Sequence, residues 1–146
     1  MNSAEINLVQ TTFAEVRPNA TAVAELFYQR LFKLNPALRP LFTGDMVQQG
    51  RMLMSMLHAA VNGLTNLEAL VPVVRKLGAN HVHYGVRDED YATVGSALLE
   101  TLEVGLGESF TPAVRDAWTA AYGLLSSTML QGADQARSAQ ETVVAQ

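Results

Sequence analysis

A chain of 146 residues with 49% hydrophobic and 16% charged side chains is about one domain long and apolar enough to bury a core, which excludes a disordered polyelectrolyte. Ten basic against fourteen acidic residues give a net charge of -4, and apart from the Arg75-Lys76 pair the basic residues are scattered singly, so there is no stripe suited to nucleic acid. The absence of cysteine removes disulfides, thiolate metal sites and a thiol nucleophile together. The opening MNSAEINLVQ has neither the positive nor the apolar region of a secretory signal. The most apolar run, Met52 to Val61, is broken by Ser55 and His58. A cytoplasmic protein without a membrane partner is the expectation.

Apolar residues recur at intervals of three and four, and no long stretch alternates with period two, so the fold class is read as all-α. The first helix is expected to start near Ser3 as N-cap, with Glu5 in its first turn and Ile6, Val9, Phe13 and Val16 on one face, until Pro18 ends it. Asn19 or Thr21 can cap the next, whose face of Val23, Leu26, Phe27 and Leu31 runs to Leu34. Asn35-Pro36 is a cap followed by proline, so a short helical turn carrying Leu38 and Leu41 should precede Phe42, with Thr43, Gly44 and Asp45 as a loop. A long helix from about Met46 to Asn62, closed by Gly63, comes next. Another starts near Leu67, where Pro72 predicts a kink or a division into two short helices. The last two are expected from about Glu89 to Val104, with Gly105 and Gly107 beyond, and from Thr111 to about Leu130, with Gly132 just after. Residues 1–137 read as one domain and 138–146 as a disordered tail. Unequal helices joined by short loops indicate irregular packing rather than a symmetrical bundle.

The histidines are the natural place for chemistry. Leu67, Leu70, Val71, Val74 and Leu77 mark an apolar helix face on which His81 also falls, so its imidazole points inward, either as a neutral core group satisfied by a carbonyl or as a metal ligand. His83 is about 200° further round and is expected at the surface, unable to share a metal with His81. His58 lies about 180° from Gln49 in helical projection and reads as a core residue. Met52, Met54 and Met56 read as gap-filling side chains. No nucleophile elbow, phosphate loop or zinc-protease motif is present, and Asp88, Glu89 and Asp90 suit a helix start, where the dipole favours negative charge.

An ordered set then stands out: Tyr28, Phe42 six residues after Pro36, Gln49, and His81 thirty-two residues after Gln49. With them go FYQRLF, NPALRPLF, LGANHVHYGV and YATVGSALLETLEVGLGESFTPAVRDAWTAAYG. Over residues 1 to about 132 the chain resembles the globin family: the bacterial single-domain haemoglobins, the globin half of flavohaemoglobins and, in its final helices, the neuroglobins. The resemblance implies a globin fold, irregularly packed helices around a haem pocket, with haem b (iron protoporphyrin IX) as cofactor. It makes His81 the proximal ligand of the iron, with the Leu77 carbonyl as acceptor for its other ring nitrogen. Phe42 becomes the residue wedged on the haem face, Val86 a further contact, and Tyr91 the support of the proximal histidine. Tyr28 and Gln49 become the distal pair that acts on the ligand, each donor worth about 1 to 2 kcal/mol to bound dioxygen. Leu53 and Met56, within about 40° of Gln49 in projection, then form the apolar wall of the pocket.

Two departures from relatives matter. Neuroglobins close the iron with a histidine where Gln49 stands; an amide is a poor iron ligand, so an open, penta-coordinate site is expected. Flavohaemoglobins pair the proximal tyrosine with a glutamate, which falls here at about Ala133, with Asp134 one position along, so the full relay is not expected. The implied function is reversible binding of dioxygen, NO and CO. Nitric oxide dioxygenase turnover would need a separate reductase, since 146 residues leave no room for a flavin domain. The competing readings are a haem-based redox, electron-transfer or sensor globin and a haem-free helical interaction module. A monomer and a homodimer are equally compatible with the sequence.

Overall fold

The computed structural model describes residues 1–145, with the side chains of His83 and of residues 140–145 outside that description. Six α-helices follow one another: α1 Ser3–Val16, α2 Ala20–Leu34, α3 Met46–Gly63, α4 Leu67–His83, α5 Asp88–Leu106 and α6 Pro112–Ala145. Short 3-10 turns at Arg17–Asn19, Pro36–Leu41 and Gly107–Ser109 join them, and no strand occurs among the described residues. The all-α expectation holds.

The helix starts show how local chemistry sets the boundaries. Asn2, not Ser3, caps α1: its Oδ1 accepts the Glu5 N–H at 2.8 Å, and Glu5 Oε1 accepts the Asn2 N–H at 3.1 Å. This reciprocal box satisfies two otherwise orphaned donors, leaving Ser3 as the first helical residue. Asn19 stands at the cap of α2 without a side-chain bond, and Thr21 lies inside the helix. Asn35 and Asp45 cap as expected, accepting the N–H groups of Ala37 at 3.1 Å and Val47 at 2.9 Å.

Two expectations are corrected. Pro72 neither ends nor divides α4, which runs through it as one helix. A proline there removes only the N–H that would meet the Glu68 carbonyl, and packing on α6 carries the helix on. Nor does Gly132 end α6. It lies within the helix because a Cβ there would strike the Arg75 main chain of α4, just as a Cβ on Gly78 would strike the Met129 main chain of α6. The two glycines let α4 and α6 touch backbone to backbone, in the most extensive helix pairing of the fold.

The core gathers Val9, Phe13 and Val16 of α1, Phe27 and Leu31 of α2, Leu98 and Leu102 of α5, and Trp118 of α6. The Trp118 Nε1–H donates to Thr12 Oγ1 at 2.9 Å, and Thr12 Oγ1 donates in turn to the Leu8 carbonyl at 2.6 Å. A buried indole N–H is thereby satisfied, and α1 is pinned to α6. A cleft of about 350 Å³ lies along α2 and α3, lined by Ala24, Tyr28, Phe32, Arg39, Gly50 and Met54.

Candidate functional site

On the α4 side, His81 is half-buried and its Nδ1 lies 2.6 Å from the Leu77 carbonyl oxygen. A carbonyl can only accept, so Nδ1 carries the proton and Nε2 keeps a free lone pair. The main chain turns immediately beyond: Gly85 takes φ 84°, and the Val86 N–H returns to the His81 carbonyl at 3.1 Å. The Tyr84 ring meets His81 edge-on at 6.1 Å, and the Tyr91 ring is tilted against it at 6.5 Å.

Tyr91 is held from behind, where the Tyr122 hydroxyl donates to its carbonyl at 2.6 Å. Its own hydroxyl is buried and has no hydrogen-bond partner among the described residues. Burial pushes the Tyr91 phenol above its usual range, Asp88 adds to the rise, Arg137 opposes it and Asp90 reinforces it. Ala133 is buried, while the exposed Asp134 carboxylate turns to Arg137 at 3.4 Å; Arg137 also reaches Asp88 at 2.9 Å. The α6 carboxylate is therefore spent on a surface ion pair. Asp90 accepts the Arg87 N–H at 2.8 Å and so caps α5, its other oxygen buried without a hydrogen bond.

On the α2 and α3 side, Tyr28 is buried in an aromatic cluster. It meets Phe42 edge-on at 5.3 Å and stacks on Phe32 at 5.9 Å, while Phe32 and Phe42 meet at 5.4 Å. The Tyr28 hydroxyl donates at 3.3 Å to the backbone carbonyl of Gln49, not to its side chain. Burial raises the Tyr28 phenol to about 12. Gln49 is half-buried and its amide makes no hydrogen bond among the described residues. Leu53 is half-buried, whereas Met56 is 39% exposed.

Phe32 and Arg39 escaped the sequence reading. The Arg39 guanidinium lies over the Phe32 ring at 5.3 Å and donates to the Phe42 carbonyl at 3.4 Å, bracing the turn that presents Phe42. The signal was available for Phe32, four residues after Tyr28 on one face of α2. His58 stacks on Phe13 at 6.1 Å and pairs with Asn62 at 3.2 Å, a packing role as expected. The surface position expected for His83 falls on a side chain outside the described residues.

The fold is an irregular all-α packing with a histidine group on α4 and an aromatic group on α2, and the comparisons with known proteins identify its family. The family model described as Globin matches residues 25–129, and the chain belongs to the globin family. It is 32% identical over 128 residues to a flavohemoprotein of Vibrio cholerae serotype O1, covering 86% of this chain and 32% of that one. It is 36% identical over 126 residues to the flavohemoprotein of Bordetella parapertussis, covering 84% and 31%. The chain therefore spans about a third of the length of these curated relatives. Among solved structures it is similar in fold to an engineered carbene transferase built on a candidate nitric oxide dioxygenase from Rhodothermus marinus, with TM-score 0.86, 23% identity and coverage of 97% and 99%. A bacterial globin from Campylobacter jejuni gives TM-score 0.81 at 23% identity, covering 94% and 99%.

Haem is the cofactor this membership brings, and the donor set fits it. An imidazole with Nδ1–H committed to a main-chain carbonyl presents Nε2 as a neutral ligand of fixed orientation. No helix among the described residues is long and apolar enough to cross a membrane.

Proposed function

We propose that this globin reversibly binds dioxygen, with NO and CO as further ligands, at a haem held through His81, and that it acts as a nitric oxide dioxygenase when a separate reductase supplies electrons. Haem, when bound, supplies the iron at which a diatomic gas is taken up. The observation that carries the reading is the 2.6 Å bond from His81 Nδ1 to the Leu77 carbonyl, which fixes both tautomer and ring rotation and leaves Nε2 as the ligating nitrogen. Phe42, braced by Arg39 and Phe32, supplies an aromatic wedge, and Val86, its N–H tied to the His81 carbonyl, supplies a further haem contact.

Opposite, the Tyr28 hydroxyl makes a long 3.3 Å bond to an amide carbonyl, which it can exchange for a more negative ligand oxygen. The Gln49 amide adds a second donor without competing as a ligand, which supports an open coordination position. Half-buried Leu53 adds apolar surface on α3, whereas Met56 is 39% exposed and does not shield the site. The position of Ala133 leaves Tyr91 without a carboxylate partner, which favours ligand binding over strong electron donation from the proximal side. The same reading sets the work in the cytoplasm, with residues 1–137 as the haem-binding unit.

The test is an absorption spectrum of haem-loaded protein followed by stopped-flow measurement of dioxygen loss. The expected wild type has an open coordination position and loses dioxygen slowly, while Tyr28→Phe and Gln49→Leu each lose it roughly tenfold faster, one donor's worth. Unchanged rates in both variants would overturn the assignment of the distal pair. A low-spin spectrum without added ligand would instead support a redox, electron-transfer or sensor globin.

A further inference from the structure

The chain has no cysteine, so a two-electron oxidant that attacks sulfur finds only its six methionines. Three of them, Met52, Met54 and Met56, follow one another along α3: Met52 and Met56 are exposed, and Met54 is buried. Met46, the first residue of α3, is bound differently. It is half-buried, and its sulfur accepts from Arg39 Nη1 at 3.7 Å. The same Nη1 donates to the Phe42 carbonyl at 3.4 Å, while the guanidinium covers the Phe32 ring at 5.3 Å. One nitrogen is therefore shared between two distant acceptors, and one of the two, a thioether, is weak. Met46 also borders the cleft along α2 and α3, which admits a molecule as small as hydrogen peroxide.

We propose that Met46 is an oxidation site and that its sulfoxide resets Arg39. The sulfur lone pair attacks one oxygen of hydrogen peroxide, an S–O bond forms as the O–O bond breaks, and the proton on the transferred oxygen joins the departing hydroxide as water. Sulfur loses two electrons and peroxide gains two. The product puts a strongly negative oxygen where a weak acceptor stood. A charged donor goes to the more negative acceptor, so Nη1 leaves the carbonyl that it meets only at 3.4 Å. The Phe42 ring, which lies against Phe32 at 5.4 Å and Tyr28 at 5.3 Å, then loses the brace on its own main chain. Oxidation at Met46 is thereby read at Tyr28 and, resting on the gas-binding reading above, it speeds the loss of dioxygen. Met52 and Met56 oxidise too, but no hydrogen bond among the described residues ties their sulfurs to Arg39.

The experiment treats the CO complex of haem-loaded protein with hydrogen peroxide and locates the sulfoxides by peptide mass spectrometry. Nitrogen NMR then follows the Arg39 guanidinium, and the rate of dioxygen loss is measured after CO is exchanged for dioxygen. Wild type is expected to gain one oxygen at Met46, to shift the Arg39 resonance and to lose dioxygen roughly threefold faster, the worth of one weak hydrogen bond. A methionine sulfoxide reductase should reverse all three changes. Met46→Leu, which keeps Met52 and Met56, should hold the untreated rate after peroxide. Arg39→Gln should show the faster rate before treatment and gain nothing from it. Sulfoxides at Met52 and Met56 with Met46 untouched, or a Met46 sulfoxide that leaves the Arg39 resonance or the dioxygen rate unmoved, overturns the proposal and leaves gas binding standing. A Met46 sulfoxide that shifts Arg39 in protein forming neither a CO nor a dioxygen complex overturns gas binding and leaves the oxidation site standing.

Discussion

The α4 region of the molecule and the α2–α3 region are built from different materials. On the α4 side the hydrogen bonds and the tightest packing run to main chain, with the Tyr84 and Tyr91 rings against the imidazole: Gly78 and Gly132 bring two helix backbones together, the Leu77 carbonyl holds His81, the Val86 N–H returns to the His81 carbonyl, and Tyr122 grips the Tyr91 carbonyl. On the α2 and α3 side, side chains meet side chains. Tyr28 is caged by aromatic rings, its hydroxyl held by one long bond, its ring bordering a cleft of about 350 Å³, and the Gln49 amide is unengaged. The histidine proposed to hold iron is tied to backbone, and the donors proposed to meet a gas are held by one long bond or none.

The largest effect should therefore come from forcing the two backbones apart. Gly132→Val places branched carbons on the Arg75 main chain, which cannot give way as a side-chain tip would, and should cost about 3 kcal/mol with faster loss of haem. Gly123→Ala, on the same helix but with open space around it, should gain up to about 1 kcal/mol, because alanine loses less conformational freedom in a helix. Urea unfolding of both variants, with the rate of haem transfer to an excess acceptor globin, checks the pair. Equal and small effects would mean that α4 and α6 are not in backbone contact.

This contrast also explains what was legible beforehand. Helix number, the Asn35 and Asp45 caps and the inward face of His81 follow from periodicity and capping chemistry, which act over a turn or two. Gly132 was misread as a helix end because that signal and the signal for a close crossing are the same residue, and only the tertiary partner, Arg75, separates them. Pro72 was misread for a similar reason: local propensity argues for a break, and packing against α6 outweighs one lost hydrogen bond. Tyr28, Phe42, Gln49 and His81 came from their ordered spacing, but the hydroxyl of Tyr28 resting on the Gln49 carbonyl is a matter of rotamers that no spacing encodes.

The distal side should respond to alkali. The Tyr28 phenol has an ordinary value of 10.0 and is raised by burial to about 12. Below pH 10 both folded and unfolded chains keep the proton, and the contribution to stability is complete. As pH rises from 10 towards 12 the unfolded chain ionises while the folded one does not, so stability falls, by about 2 to 3 kcal/mol at the limit. Tyr122, also raised by burial, acts with the same sign. Denaturant midpoints measured from pH 8 to 11.5 should fall steeply in wild type and less steeply in Tyr28→Phe. Parallel curves would mean that Tyr28 is already solvated.

The smallest effects fall on the proximal tyrosines, and they should differ although the two residues touch. Tyr122→Phe removes the donor to the Tyr91 carbonyl, leaves that buried acceptor unpaired and should cost about 1 kcal/mol. Tyr91→Phe removes a buried hydroxyl that has no partner among the described residues, so no described hydrogen bond is lost with it, and relief of its desolvation should leave stability unchanged or raised by up to about 1 kcal/mol. Resonance Raman of the iron–histidine stretch in the haem-loaded variant gives the decisive second readout. If Tyr91 acted through a relay to His81, the stretch would shift when its hydroxyl is removed. With Ala133 buried, the Asp134 carboxylate turned to Arg137 and the Leu77 carbonyl already holding Nδ1, the stretch should stay where it is.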